Sequence, residues 1–242
     1  MPRGDKSAIL QYRIPLPTLD VQRMVVRILD EYSKLELELE AALEEELDAR
    51  RKQYEYHRNA LLTFPEAGGV RRMAISSTTA RVTSGRNTIR TPDGRVPVYG
   101  STGLIGYTTE PSYRETTILV ARVGANAGRV NVASGEYDVT DNTLILEPTS
   151  DWNVRFAYHQ LTNMDLNQYA TGGGQPLITA SLIKSLVVAV PSKAEQLRIA
   201  VTLDTLERMV SDFNMGLSAE SGARRRQYEY YRDKLLTFKE AS

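Results

Sequence analysis

The chain has 242 residues, of which 41% are hydrophobic and 25% charged, so it is long enough to bury a core in one large or two medium domains. Thirty basic residues balance thirty acidic ones, so net charge gives no support for a nucleic-acid partner. The absence of cysteine excludes disulfides, thiolate catalysis and cysteine-based zinc sites, and with no signal core and no run near ~18 apolar residues we expect a soluble cytoplasmic protein that does not contact membranes.

A repeated segment organises the chain. Residues 51–64 read RKQYEYHRNALLTF and residues 225–238 read RRQYEYYRDKLLTF, with ten of fourteen positions identical at an offset of 174. Average residue frequencies give roughly one such identity by chance. The register continues back to Ser7 against Ser181, so a unit of about 58 residues brackets a different insert of about 116 residues.

Each copy of the repeat predicts a short strand followed by a long helix. Residues 1–17 resemble the strand that closes the insert, as if they were the end of a missing earlier insert. Each helix runs about 45 residues, and in the second copy Ser192 and Glu195 predict a capping box. Apolar residues recur at a spacing of 3 and 4, which is typical of a coiled-coil seam: Val25, Ile28, Tyr32, Leu35, Leu39 and Ala42 in the first helix, and Ile199, Leu203, Leu206, Val210, Phe213 and Leu217 in the second. We expect the two helices to pair within the chain, antiparallel.

The insert has a different pattern. Short β-type runs at 96–99, 116–123, 129–132 and 143–146 alternate with Gly, Ser, Asn and Asp turns, and residues 151–162 form an amphipathic stretch that predicts a helix. The predicted fold class is therefore α+β: one small, mostly β globular domain on a long antiparallel two-helix coiled-coil stalk.

Three Gly-rich loops of the insert, at 98–107, 121–129 and 169–176, are candidates for contacts with phosphates or bases. Taken alone, each loop is a weak signal, because tight turns in a β domain more often explain such loops. The insert contains ten Arg, no Lys and ten acidic residues. Arginine favours bidentate recognition of phosphate or guanine, although compositional bias of the source also explains it. We expect Tyr99 and Tyr107 to be core residues.

Enzymatic chemistry lacks the necessary side chains. Two histidines and no cysteine are too few for a zinc site, and no phosphate-binding GxxxxGK[ST] loop is present. Acidic-x-Lys nuclease signatures and the Asn/Asp-Pro-Pro-Tyr/Phe motif of adenine methyltransferases are also absent. We interpret Asp138 and Asp141 as surface loop charges, and we predict no catalytic residues and no metal site.

Taken in order, these motifs resemble the DNA-specificity subunit of type I restriction–modification systems. The resemblance rests on IPLPTLDVQ and VAVPSKAEQ before the helices and the twinned QYEYxRxxLLTF ends, together with PVYGSTGLIGY, ILVARVGANAGRV and YATGGGQPLITASLIKSLVVAVP in the insert. It implies a remnant of a recognition domain at 1–17, helical spacers at 18–64 and 191–242, and a target-recognition domain at 65–190. It also implies that the chain reads half of a bipartite site in double-stranded DNA.

In this family the specificity subunit binds a methyltransferase subunit, which uses S-adenosylmethionine, and through the complex a restriction and translocase subunit. The subunit has no cofactor or catalysis of its own. With two spacers and one recognition domain, two chains forming a homodimer would restore a two-headed assembly on a palindromic site. An alternative is a coiled-coil adaptor whose globular domain binds a protein or glycan, and a third is a nuclease or methyltransferase in its own right.

The residues predicted to contact DNA are polar or glycine residues of the insert: Arg86, Arg90, Ser101, Thr102, Arg122, Asn126, Arg129, Gly172 and Gln175. The residues predicted to form the partner or dimer interface lie on the two long helices: Leu35, Leu39, Leu43, Tyr54, Val210, Phe213, Leu217 and Tyr228. For the repeated tyrosines we favour packing at Tyr54 and Tyr228, whereas Tyr56 and Tyr230 also suit a docking surface for the methyltransferase.

Overall fold

The computed structural model describes residue 11 and residues 15–65, 69–172 and 174–238. The chain divides into two compact units. The helical unit lies within Met1–Arg51 and Met209–Ser242, and the β unit is Lys52–Arg208. The predicted remnant at 1–17 falls almost entirely outside the described residues.

Two long helices contribute to both units. The described α-helices are α1 (Leu19–Leu62), α2 (Ile75–Thr78), α3 (Val154–Asn163), α4 (Ala180–Ser185) and α5 (Lys193–Leu236), with a 3-10 helix at Leu166–Tyr169. The first and last have 44 residues each, as the repeat predicts. None of the helices in the described part of the chain has the length and apolar character needed to cross a membrane.

Nine strands are described, all in the β unit. They are β1 (Arg71–Ala74), β2 (Thr79–Ser84), β3 (Val96–Gly100), β4 (Gly103–Thr108), β5 (Thr117–Ala121), β6 (Val130–Ala133), β7 (Asp138–Val139), β8 (Thr143–Pro148) and β9 (Val187–Val190). The four β-type runs of the sequence correspond to β3, β5, β6 and β8, and the amphipathic stretch corresponds to α3. The predicted mixture of helix and strand is thus confirmed.

In the helical unit α1 and α5 pack antiparallel. The ring centroids of Tyr32 and Tyr231 lie 6.1 Å apart, and the guanidinium of Arg50 lies 4.4 Å from the ring centroid of Phe213. An early residue of α1 therefore meets a late residue of α5, and a late residue of α1 meets an earlier one of α5. This is the predicted orientation of the pair.

The predicted seam holds on α5, but three of its positions on α1 are exposed. Leu39 and Leu43 are half-buried, whereas Leu35 is 62% exposed, Tyr32 is 38% exposed and Ala42 is also exposed. Ser33 takes an inner position instead, with its hydroxyl 3.5 Å from that of Tyr228. Apolar residues occupy two adjacent faces of α1, so periodicity alone did not select the buried one. The tyrosine ring of the partner helix fills the space beside a small serine.

The β unit is built around a four-stranded antiparallel sheet in the order β2–β8–β5–β6. Its inner strand β5 is buried at all five positions because both faces are covered. One face joins Trp152 and Phe156 of the larger core, and the other packs on Tyr137 through Leu119 and Ile145. A second sheet has the order β4–β3–β7, and β1 pairs with β9.

Two local expectations need correction. Tyr99 is half-buried, but Tyr107 is 44% exposed and so is not a core residue. Only one of the two hydrogen bonds of the predicted capping box is described: Ser192 Oγ accepts from the backbone N–H of Glu195 at 3.3 Å. The Glu195 carboxylate instead accepts from Arg198 at 2.6 and 2.8 Å, because a guanidinium one turn ahead offers two charged donors.

Candidate nucleic-acid interface

The short strand β7 and the turn after it, residues 138–142, hold several predicted DNA-contact segments together. The carbonyl of Val139 accepts from the backbone N–H groups of both Arg86 and Asn87 at 2.9 Å. The N–H of Thr140 donates to the carbonyl of Tyr99 at 2.9 Å, just before the turn that carries Ser101 and Thr102. These backbone bonds place the Arg86 segment and the β3–β4 turn on either side of one short strand.

The β3–β4 turn is a tight hairpin. Gly100 pairs with Gly103, and Gly103 has φ +98°, a conformation that L side chains rarely adopt. Thr102 at the tip is exposed and Ser101 is half-buried. The hydroxyl of Thr102 is therefore free to meet a ligand from solvent.

Arg122 connects the same region to the third Gly-rich loop. Its backbone N–H donates to Asn142 at 2.9 Å, and its carbonyl accepts from Ile178 at 2.8 Å. Bridges from Val123 and Thr171 to Leu177 continue this pairing. Gly172, with φ +102°, and the exposed Gln175 lie in the loop that these contacts fix.

Asn126 and Arg129 face a different cavity, of about 440 Å³, beside α3 and the 3-10 helix. Gly128 lies between them with φ +91°, and a Cβ there would sit 2.4 Å from the backbone nitrogen of Asn167. Asn167 Nδ2 also donates to the carbonyl of Ala127 at 2.7 Å. The structure therefore divides the predicted residues into two groups, one around residues 138–142 and one around this cavity.

Carboxylate partners separate the arginines of the β unit into two classes. Arg81, Arg114 and Arg155 form ion pairs with Glu147 at 2.5 Å, Glu136 at 3.1 Å and Asp204 at 2.6 Å. Within the described residues no carboxylate pairs with any of the four arginines predicted from sequence: Arg86, Arg90, Arg122 and Arg129. An unpaired guanidinium remains available to phosphate or to a base edge.

Asp138 was wrongly interpreted as a surface charge. It is 6% exposed, and its Oδ2 accepts from Asn87 Nδ2 at 2.6 Å while its Oδ1 accepts from the N–H of Val139 at 2.8 Å. Asn87 is a candidate site residue that sequence reasoning missed. The two residues are 51 positions apart, so no local pattern reveals the pair.

A charged network between α3 and α5 was also missed. Arg155 donates through Nε and Nη2 to Asp204 at 2.6–3.1 Å, and Nη2 lies 3.3 Å from Glu207. His159, fully buried, contacts Asp204 Oδ1 through Nε2 at 2.7 Å. Tyr158 donates to Glu207 at 2.7 Å.

Burial and hydrogen bonding shift the pKa values in this network. Burial lowers the pKa of His159 despite its bond to Asp204, so the ring is neutral and donates from Nε2. Burial opposes ionisation of Asp204, but the hydrogen bonds from Arg155 and His159 outweigh it and hold the pKa of Asp204 below its ordinary value. Burial also raises the pKa of Tyr158.

His159, Asp204 and Glu207 bring their ligand atoms within 4.8 Å of one another, a spacing that suits a metal ion. Arg155 already bonds to both carboxylates of this cluster. The Arg155 guanidinium neutralises the charge of the two carboxylates, so we interpret the cluster as an ion-pair network that links α3 to α5.

Residues 80–220, more than half of the chain, match the family described as type I restriction modification DNA specificity domain. The chain is 31% identical over 221 residues to the EcoprrI specificity subunit of Escherichia coli, covering 86% of the chain and 55% of that subunit. It is 31% identical over 263 residues to the Escherichia coli EcoR124I/EcoR124II specificity subunit, covering 94% of the chain and 64% of that subunit. The chain therefore spans less than two thirds of either relative.

Solved structures show the same fold. A chain from a study of complex assembly and conformational transition in the type I R-M system has a TM-score of 0.75 at 17% identity, covering 92% of this chain and 60% of the other. The HsdS subunit from Thermoanaerobacter tengcongensis has a TM-score of 0.61, also at 17% identity, with the same two coverages.

Proposed function

Because the chain belongs to the family of type I restriction–modification DNA-specificity proteins, we propose that it recognises double-stranded DNA and reads one half of a bipartite site. The main support is the set of four arginines that have no carboxylate partner among the described residues and lie on segments fixed by backbone hydrogen bonds. Fixed donors of this kind suit both phosphate positioning and base readout. The charge-balanced chain then binds DNA locally, through these groups, rather than through a diffuse basic surface.

We propose that the two predicted spacers dock a type I methyltransferase subunit, which supplies S-adenosylmethionine chemistry. The chain then recruits a restriction and translocase subunit through that complex and catalyses no reaction of its own. Acting on cellular DNA places it in the cytoplasm. Two exposed tyrosines of the repeat support this docking role: Tyr56 is 70% and Tyr230 58% exposed, while their neighbours Tyr54 and Tyr228 are half-buried.

We further propose that two chains associate through their helical units. Leu35 on α1 and Met215 on α5 are each 62% exposed, and a second helical pair would cover these apolar side chains. The resulting homodimer carries two recognition surfaces related by a twofold axis. It reads a palindromic bipartite site.

Sedimentation of the purified chain, alone and with the methyltransferase subunit from the same source, tests the assembly. We expect a dimer that captures two methyltransferase subunits. A monomer at high concentration contradicts the homodimer, and a failure to capture any methyltransferase contradicts the docking role.

Retention on duplex DNA with excess unrelated competitor distinguishes DNA recognition from the adaptor alternative. The slope of the logarithm of the binding constant against the logarithm of salt concentration should decrease by about one unit when Arg86 is changed to Ala. Arg114→Ala should keep the wild-type slope, because Arg114 is already paired with Glu136. The proposal is contradicted if excess competitor DNA completely displaces the complex of the chain with its methyltransferase subunit from the duplex.

A further inference from the structure

The side chain of Arg90 is held in one orientation although it is exposed. Its Nη1 donates to Asn87 Oδ1 at 2.7 Å and to the carbonyl of Ile89 at 3.1 Å. The two hydrogens of Nη1 are thereby both used within the chain. The Nε hydrogen and the two Nη2 hydrogens have no acceptor among the described residues, so one edge of the guanidinium, Nε–Nη2, is free.

The amide that holds Arg90 is itself fixed. Asn87 Nδ2 donates to the buried carboxylate of Asp138 at 2.6 Å, and the backbone N–H of Asn87 donates to Val139 at 2.9 Å. Turning the amide over would set its NH₂ group against the guanidinium and its oxygen against the carboxylate. Both contacts would then be lost, so the Asn87 oxygen stays directed at Arg90.

The aliphatic part of Arg90 lies over Gly106 of β4. A Cβ at Gly106 would come within 3.1 Å of Arg90 Cδ, so the missing side chain makes room for the arginine. The next residue, Thr91, donates its N–H to the carbonyl of Tyr107 at 2.9 Å. Both ends of the Arg90 side chain are therefore positioned, one by β4 and one by Asn87.

We propose that Arg90 reads a guanine in the major groove, with Asn87 and Asp138 as the residues that position it; this rests on the proposed recognition of double-stranded DNA. The free Nε–Nη2 edge carries donors only. Guanine offers two acceptors, N7 and O6, whereas adenine offers one acceptor and one donor, so a fixed pair of donors accepts the first and rejects the second. Phosphate oxygens are present at every step of the duplex, and contact with them gains little from an orientation fixed by two layers of hydrogen bonds.

Four variants of the full chain test this proposal in complex with the methyltransferase subunit. Arg90→Lys keeps the charge but replaces the fixed planar edge with a rotatable ammonium, and Arg90→Ala removes both charge and donors. Asn87→Ala leaves Arg90 present but untethered. Arg114→Ala is the matched control, since this exposed arginine of the same unit is paired with Glu136. Thermal unfolding of each variant verifies that it is folded.

The readout is selection from a randomised duplex library, followed by binding to the selected duplex and to copies with one G·C pair replaced. We expect the wild type to prefer guanine at one position by about tenfold or more. Arg90→Ala and Asn87→Ala should lose that preference while keeping the salt dependence of binding, because neither removes a phosphate contact, and Arg90→Lys should weaken the preference. Arg114→Ala should keep the preference.

Retention of every base preference by Arg90→Ala overturns the proposal. An equal weakening on all sequences also overturns it, since that result identifies a phosphate contact. A wild-type complex without any sequence preference overturns the proposed function itself, and the inference with it. These failures are distinguishable because only the last is seen before any residue is changed.

Discussion

The side-chain amide of Gln196 donates a hydrogen bond of 2.9 Å to the carbonyl oxygen of Pro191, five residues earlier. Gln22 makes the same bond to Pro17 at 2.7 Å in the first copy of the repeat. The sequence repeat is therefore also a structural repeat at the start of each long helix. Only Gln196 is fully buried, and it makes two further bonds, to the carbonyl of Asp151 and from the N–H of Asn153.

Replacing Gln196 with Ala should lower the free energy of unfolding by about 3 kcal/mol, because buried backbone groups lose their partners. Gln22→Ala is the matched control and should cost about 1 kcal/mol or less, since it breaks one bond at a half-buried site. Urea unfolding of both variants measures the difference. Equal effects would show that the added contacts of Gln196 do not stabilise the fold.

Acidification should destabilise the β unit in two steps. The pKa of His159 is below its ordinary 6.5 in the folded chain, so below about pH 6.5 the unfolded chain binds the proton first and stability falls. The pKa of Asp204 is also lowered, from 3.8, so the stabilisation from its ion pair is lost near and below that pH.

His159→Gln, which keeps a donor but does not titrate, should remove the first step from a plot of unfolding free energy against pH. The exposed His57 provides the control, as His57→Gln leaves the buried ring intact. A wild-type curve that is flat between pH 5 and about 7 would contradict the assignment of a buried neutral histidine.

Leu43→Ala and Leu35→Ala should separate folding from association. Leu43 is half-buried, and its truncation should cost about 1 to 2 kcal/mol of unfolding free energy, below the range for a fully buried leucine. Leu35 is 62% exposed, so its truncation should leave the stability of the single chain within about 0.5 kcal/mol and weaken self-association. Thermal unfolding and sedimentation equilibrium measure the two effects. Unchanged association of Leu35→Ala removes this residue from the proposed interface.

Gly128→Ala should destabilise the β unit by about 3 kcal/mol or more, because the new methyl meets the backbone of Asn167 in addition to an unfavourable positive φ. Gly135 also has a positive φ, +75°, but nothing lies within 4 Å of its Cβ position. Gly135→Ala should therefore cost only about 1 to 2 kcal/mol. Chemical denaturation compares the two, and equal costs would mean that the loop yields to the methyl group.

Short-range patterns in the sequence determined the two helices of 44 residues and the strands β3, β5, β6 and β8. Periodicity, capping and turn residues act over a few positions, so they are legible along the chain. The family resemblance, now confirmed, came from the ordered combination of such local motifs.

Tertiary structure alone decided which charges are available. Asn87 meets Asp138 and Arg155 meets Asp204 only because sheets and helices bring together residues 51 and 49 positions apart. The same tertiary packing leaves the Nε–Nη2 edge of Arg90 without an acceptor among the described residues and pairs Arg114 with Glu136. It also places Ser33 rather than Leu35 between the two long helices. Pairings of this kind depend on the relative position of whole elements, which no local spacing encodes.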